Sequence, residues 1–131
     1  MIKGLVYIAG KITGEDPVKC AEKFNRAEER ISARGYHVVN PMKLVEPGTP
    51  WHAAMRVCFR ELTKAQFIYL LPDWRQSYGA KLEIKMAIDL SIATMKDDML
   101  ELRANEKLAL FCSYYERFIG QKYKVSAADS G

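Results

Sequence analysis

Cysteine is scarce in this chain, and long apolar runs are missing. The three cysteines, Cys20, Cys58 and Cys112, are odd in number and far apart. That excludes a disulfide framework and points to reduced thiols, as in a cytoplasm. No apolar stretch reaches the roughly 18 residues of a membrane span, so no membrane partner is expected. The opening MIKGLVYIAG has one charge before a short apolar run and no small-residue cleavage site, so it reads as a strand and not as a secretory leader. Histidine occurs only twice. Neither His37 nor His52 has Cys, Asp or Glu at a metal-ligand spacing, and no metal or other cofactor is expected. The familiar phosphate loops are absent too. In GKITG, Lys11 follows Gly10 directly, which fits neither G-x-G-x-x-G nor a Walker loop. The G-x-S-x-G elbow of a serine hydrolase is also missing.

What is present is the composition of one globular domain with an extension. The 131 residues are 49% hydrophobic and 27% charged, ordinary values for a chain that can bury a core without staples. The net charge of +4 lies in the front part. Residues 1–94 carry 14 Lys/Arg against 10 Asp/Glu, and residues 95–131 carry six of each. An excess this small and scattered does not make a nucleic-acid footprint, and it suits a small anionic ligand as well as a solvated surface.

The pattern alternates strand and helix. Lys3–Ala9 reads as a buried strand. Pro17 opens a helix to Arg34 with Cys20, Phe24, Ala27 and Ile31 at helical spacing and Gly35 as its cap. YHVVN is a second strand stopped at Asn40-Pro41. Thr49 is expected to cap a helix over about 50–65, and QFIYLL is a continuous apolar strand of the kind found in a parallel sheet. A third helix follows Ser77, Gly79 and Ala80. After Leu90, SIAT reads either as a fourth strand or as a continuation of that helix. The expectation is an α/β, flavodoxin- or Rossmann-like three-layer sandwich with a parallel sheet over residues 1–94, and a helical extension over 95–131 with a frayed tail. Met99, Leu102, Leu108, Phe111, Tyr115 and Phe118 lie roughly on one side of that extension, which suits packing on the core or on a second copy.

Ligands of open parallel sheets bind beyond the carboxyl ends of the strands. Two loops belong there, AGKITG and PDWRQSYGA. Gly10 and Gly14 would let a ligand approach the backbone. Lys11 and Thr13 offer a cation and a hydroxyl. Ser77 would cap its helix or give its hydroxyl to an anion, and the N–H groups near Gly79 and Ala80 favour negative charge. Glu83 stands apart from the polar stripe of Lys81, Lys85 and Asp89. It is either a solvated helix residue or a nucleophile or base facing the cleft. Trp51 and Trp74 are either half-buried packing or surfaces on which a base stacks.

VYIAGKITG, GYHVVNP, LTKAQFIYLLPDW and SYGAKLEIKMA together resemble the small phage and bacterial members of the nucleoside 2-deoxyribosyltransferase-like superfamily. That group includes the 2'-deoxynucleoside 5'-phosphate N-hydrolases. The resemblance spans about residues 3–92. It implies cleavage of an N-glycosidic bond through a covalent glycosyl-glutamate at Glu83. It implies that Tyr7 orients this glutamate, and it places the acid that protonates the leaving base at Glu61. Ser77 matches the phosphate-binding serine of the hydrolases, which favours a deoxynucleoside 5'-monophosphate over a free nucleoside. Lys11 and Thr13 stand where the hydrolases carry Ser and Arg. The resemblance further implies a homo-oligomer. Two other classes remain open: a nucleotide-binding sensor or sequestering protein without turnover, and an interaction module acting through its C-terminal helix.

Overall fold

Strand β1, Leu5–Ala9, is the hydrophobic centre of the molecule. Val6, Tyr7, Ile8 and Ala9 are all fully buried, because both faces of a parallel sheet are covered. A computed structural model describes residues 3–96. In chain order the elements are β1, helix α1 (Pro17–Ala33), β2 (His37–Val39), α2 (Trp51–Leu62), β3 (Phe67–Leu70), α3 (Tyr78–Asp89) and β4 (Ala93–Met95). Short 3-10 turns at Pro41–Lys43 and Trp74–Gln76 precede α2 and α3.

The sheet is wholly parallel, with strand order β2-β1-β3-β4. Alternation along the strands separates two cores. Val6, Ile8, Tyr69 and Met95 pack with Cys20, Phe24, Ala27 and Ile31 of α1. Tyr7, Ile68 and Thr94 stand in one cross-strand row and so face the other side of the pleat, where Tyr7 meets Glu83 of α3. The chain steps from β1 outward to β2, then back across β1 to β3. With right-handed crossovers that reversal puts α1 on one face and the two later helices on the other. The expected three-layer α/β fold is the observed one.

Local chemistry explains the element ends. The Asp16 carboxylate accepts the Lys19 N–H at 3.0 Å, and Pro17 occupies the first turn. α1 closes at Arg34, and Gly35 follows with φ 96°, a conformation that glycine adopts without strain. Strand β2 is shorter than YHVVN because Asn40 leaves the ladder. Its side chain accepts the Met42 N–H and donates to Asn25 and Glu28. Thr49 does not cap α2. Its hydroxyl donates to the Glu46 carbonyl at 2.7 Å, and Pro50 holds the cap position with no side-chain bond.

The open question after Leu90 resolves as a strand. α3 stops at Asp89, Ser91 turns the chain at φ 60°, and β4 pairs with β3. The boundary expected at Thr94 therefore falls inside β4. Met95, expected in the extension, is a core residue on the α1 face, because its alternation matches that of Val6 and Ile8. The remainder of the expected extension and the oligomer contact assigned to it lie outside the described residues. No helix among the described residues is long and apolar enough to cross a membrane.

Candidate active site

The sheet reverses its winding between β1 and β3, and a crevice opens there beyond the strand ends. It is a cleft of about 460 Å³, within the usual range for a small-molecule site. The first-turn residues of all three helices reach it: Pro17 of α1, Trp51 of α2, and Gly79 and Ala80 of α3. Three helix N-termini thus converge on one space, each with its partial positive charge. The walls are mostly apolar, from Ile12, Pro41, Met42, Val45, Ala54 and Met55. Among the described residues, no Lys, Arg or His lines the cleft.

Glu83 and Tyr7 meet at the cleft. Glu83 is 5% exposed, and its carboxylate accepts the hydroxyl proton of the fully buried Tyr7. The sequence puts the glutamate there because α3 buries Gly79, Ala80, Glu83, Ile84 and Ala87 as one face, the 3–4 residue spacing of a helix stripe. Burial pushes the Glu83 carboxyl up to about 8, against the opposing pull of the Tyr7 hydrogen bond. Burial, the Glu83 charge and the Cys58 thiol together hold the Tyr7 phenol well above its ordinary value. A buried carboxyl with a shifted proton at an open cleft is a common mark of a functional group.

Ser77 caps α3 by accepting the Ala80 N–H at 3.1 Å, and it also lines the cleft. Accepting that bond leaves the hydroxyl proton for another acceptor, so capping does not exclude contact with a ligand. Thr13 and Trp51 line the cleft as well. Trp51 is 44% exposed and lies against Tyr78, with ring centroids 5.7 Å apart. Trp74, by contrast, is buried in packing beneath the Arg75 guanidinium and does not line the cleft.

Two of the glycines that line the cleft, Gly10 and Gly79, are small for packing reasons. A Cβ on Gly10 would sit 2.5 Å from Cδ1 of Leu71, and one on Gly79 would sit 3.0 Å from the Met55 sulfur. Close approach of a ligand, expected from the sequence for Gly10, is thus not what excludes a side chain there. Lys11 departs from expectation too. It is absent from the lining, and its backbone takes the structural role: the N–H donates to Asp73 at 3.1 Å and the carbonyl accepts from Lys23 at 2.8 Å.

Glu61 is not in the cleft. It is paired with Lys64 at 3.0 Å near the far end of α2. The row that α2 turns toward the cleft is Trp51, Ala54, Met55 and Cys58, and at the next turn it continues into buried Leu62. Cys58 is therefore what α2 presents to Tyr7 and Glu83. No sequence pattern marks it, because an isolated cysteine among apolar residues resembles ordinary core. Lys23 and Asp73 were missed as well, since the contact that joins them spans 50 positions.

A family model described as a domain of unknown function, DUF4406, matches residues 4–96. The chain belongs to this family. The matched region coincides with the described α/β unit, from the residue before β1 to the residue after β4. No curated protein matches the chain.

Proposed function

We propose that this DUF4406 member cleaves the N-glycosidic bond of a deoxynucleoside or its 5'-monophosphate, with Glu83 as nucleophile. The observation that carries the reading is the Tyr7–Glu83 hydrogen bond beside an open cleft. The Tyr7 hydroxyl holds one carboxylate oxygen, Oε2, and leaves Oε1 for the sugar. Oε1 bonds to C1' as the bond from C1' to the base nitrogen breaks, and the base leaves with that electron pair. Water then attacks C1' and frees the carboxylate, in the two-step manner of retaining glycosidases. Transfer to a second base differs only in the final acceptor. The phosphate would rest on the Ser77 hydroxyl and on the N–H groups at the start of α3, where anions are favoured. Trp51 is placed to stack on the base. The resemblance to the deoxyribosyltransferases supports the same reading and extends it to a homo-oligomer, which light scattering of the full chain would test.

A second reading, binding without turnover, is favoured by one feature. The carboxyl that the resemblance assigned to the leaving group, Glu61, is turned away from the cleft, and α2 offers the Cys58 thiol there instead. Glycosidases ordinarily use a second carboxyl to protonate the leaving group. The deciding experiment incubates the protein with deoxynucleosides and their 5'-monophosphates and follows free base. Release that disappears in Glu83→Gln supports cleavage. Saturable binding without release supports the second reading, and neither binding nor release removes both.

A further inference from the structure

The charge of the cleft is one-sided. The chain as a whole carries +4, yet the charged side chains among the described residues that line the cleft are carboxylic: Glu15, Glu46 and Glu83. Lys23 stands close by but serves two carboxylates at once, Glu15 at 3.3 Å and Asp73 at 2.6 Å, so that group keeps a net negative charge. The helix N-termini add only partial positive charge, felt within the first turn, and at α1 the Asp16 carboxylate offsets it. Trp51 lines the cleft and, with Tyr78 beside it, stays exposed. Aromatic faces of this kind attract cations, and tryptophan does so best.

The cleft is also poor in acids. A neutral base leaving a sugar needs a proton, and the acid must hold one at the working pH. Tyr7 commits its proton to Glu83. Burial pushes the Cys58 thiol up to about 11 and raises the Cys20 thiol as well, so both hold their protons too tightly. Glu15 is in its ion pair with Lys23. Glu46 is exposed, where water favours the charged form of a carboxyl.

We infer that the ligand of this cleft is a nucleoside whose base carries a fixed positive charge at the glycosidic nitrogen, as a pyridinium ring does. Its chemistry rests on the proposed reaction at Glu83 and removes the need for an acid. Oε1 of Glu83 bonds to C1' as the bond from C1' to the ring nitrogen breaks. The electron pair of that bond stays on the nitrogen and cancels its charge, so the base leaves neutral and takes no proton. Water then adds to C1', the carboxylate is freed, and one proton passes to solvent. Before that step the carboxylates and the Trp51 face hold the cation.

The experiment uses two probes of similar size and outline: nicotinamide 2'-deoxyriboside, which is a pyridinium cation, and its reduced dihydropyridine form, which is neutral. Binding is measured in Glu83→Gln, so that neither probe is consumed. The cation is expected to bind roughly ten-fold tighter at low ionic strength, with the ratio shrinking as salt is added. Glu46→Gln, added to that background, is expected to lower the ratio roughly two- to three-fold, and Trp51→Leu to lower it further. The ratio cancels a general loss of cleft shape, which weakens both probes alike. Equal or weaker binding of the cation overturns the inference, as does failure to bind either probe. So does a ratio unmoved by both substitutions. Wild type is then followed for free nicotinamide. A cation preference without release leaves the ligand class standing and removes the cleavage reading. Base release from neutral deoxynucleosides without a cation preference does the reverse.

Discussion

The Lys23 ammonium lies 2.6 Å from the Asp73 carboxylate and joins α1 to the loop after β3. The same nitrogen reaches the Lys11 carbonyl at 2.8 Å and Glu15 at 3.3 Å, while the other Asp73 oxygen accepts the Lys11 N–H. The two loops that flank the cleft are thus tied at one point. Burial is the largest single influence and opposes the charge on Lys23, but the bond to Asp73, its charge, and the contributions of Cys20 and Glu15 together outweigh it and hold the ammonium above its usual value. The pair is about a quarter exposed, so solvent screening reduces its worth. Lys23→Met is expected to cost about 1–2 kcal/mol, mostly from the hydrogen bonds left unmade. Urea unfolding checks the stability. A loss of ligand affinity larger than this would show that the tie also sets the cleft geometry.

Glu83 makes stability depend on pH. Its carboxyl is raised to about 8 in the fold, against roughly 4.3 in an unfolded chain. The folded state therefore binds the extra proton. Its contribution is fully present below the unfolded value and is lost as pH rises through about 8. Glu83→Gln removes the ionisable group and keeps the shape. The variant is expected to be more stable than wild type at pH 9, by at least about 1 kcal/mol or roughly 4–8 °C, with the gap closing toward pH 5. Paired thermal melts at the two pH values measure this. A variant that is less stable at pH 9 would mean that the carboxylate is better satisfied than its burial indicates.

Glu61 and Glu83 should separate cleanly in any assay of base release. A nucleophile must be ionised, so the wild-type rate with limiting substrate should climb with pH toward a plateau above about 8. Glu83→Gln should lose roughly three powers of ten or more. Glu61→Gln should lose almost nothing, since that side chain pairs with Lys64 outside the cleft. A large loss at Glu61 would return it to the role that the resemblance implied.

Gly10 tests whether packing or ligand approach excludes a side chain. Gly10→Ala would drive a methyl against Leu71, and overpacking of this kind costs about 1–3 kcal/mol. Leu71→Ala alone leaves a cavity and is also destabilising, by about 2–5 kcal/mol. The double variant should be more stable than the sum of the two losses allows, because removing the Leu71 tip relieves the closest of the contacts and the new methyl fills part of the space it leaves. Strict additivity in chemical denaturation would count against the packing explanation.

The α/β order, the face of α1 and the isolation of Glu83 were all written in local patterns. Proline and aspartate at the start of α1 and the spacing of Phe24, Ala27 and Ile31 concern neighbours within a turn or two, and chain geometry alone relates them. The fourth strand was ambiguous for the same reason. SIAT is too short to carry a period, and pairing with β3 decided it. The make-up of the cleft was another matter. Glu61 and Cys58 lie on one helix three residues apart, and only the packing of α2 against the sheet selects the one that meets Tyr7. The tie between Lys23 and Asp73 and the collision that keeps Gly10 bare join residues 50 and 61 positions apart. Local spacing ranks side chains by the face they share. Which faces meet is settled when the sheet folds β3 alongside β1, and the chemistry at their ends follows from that contact.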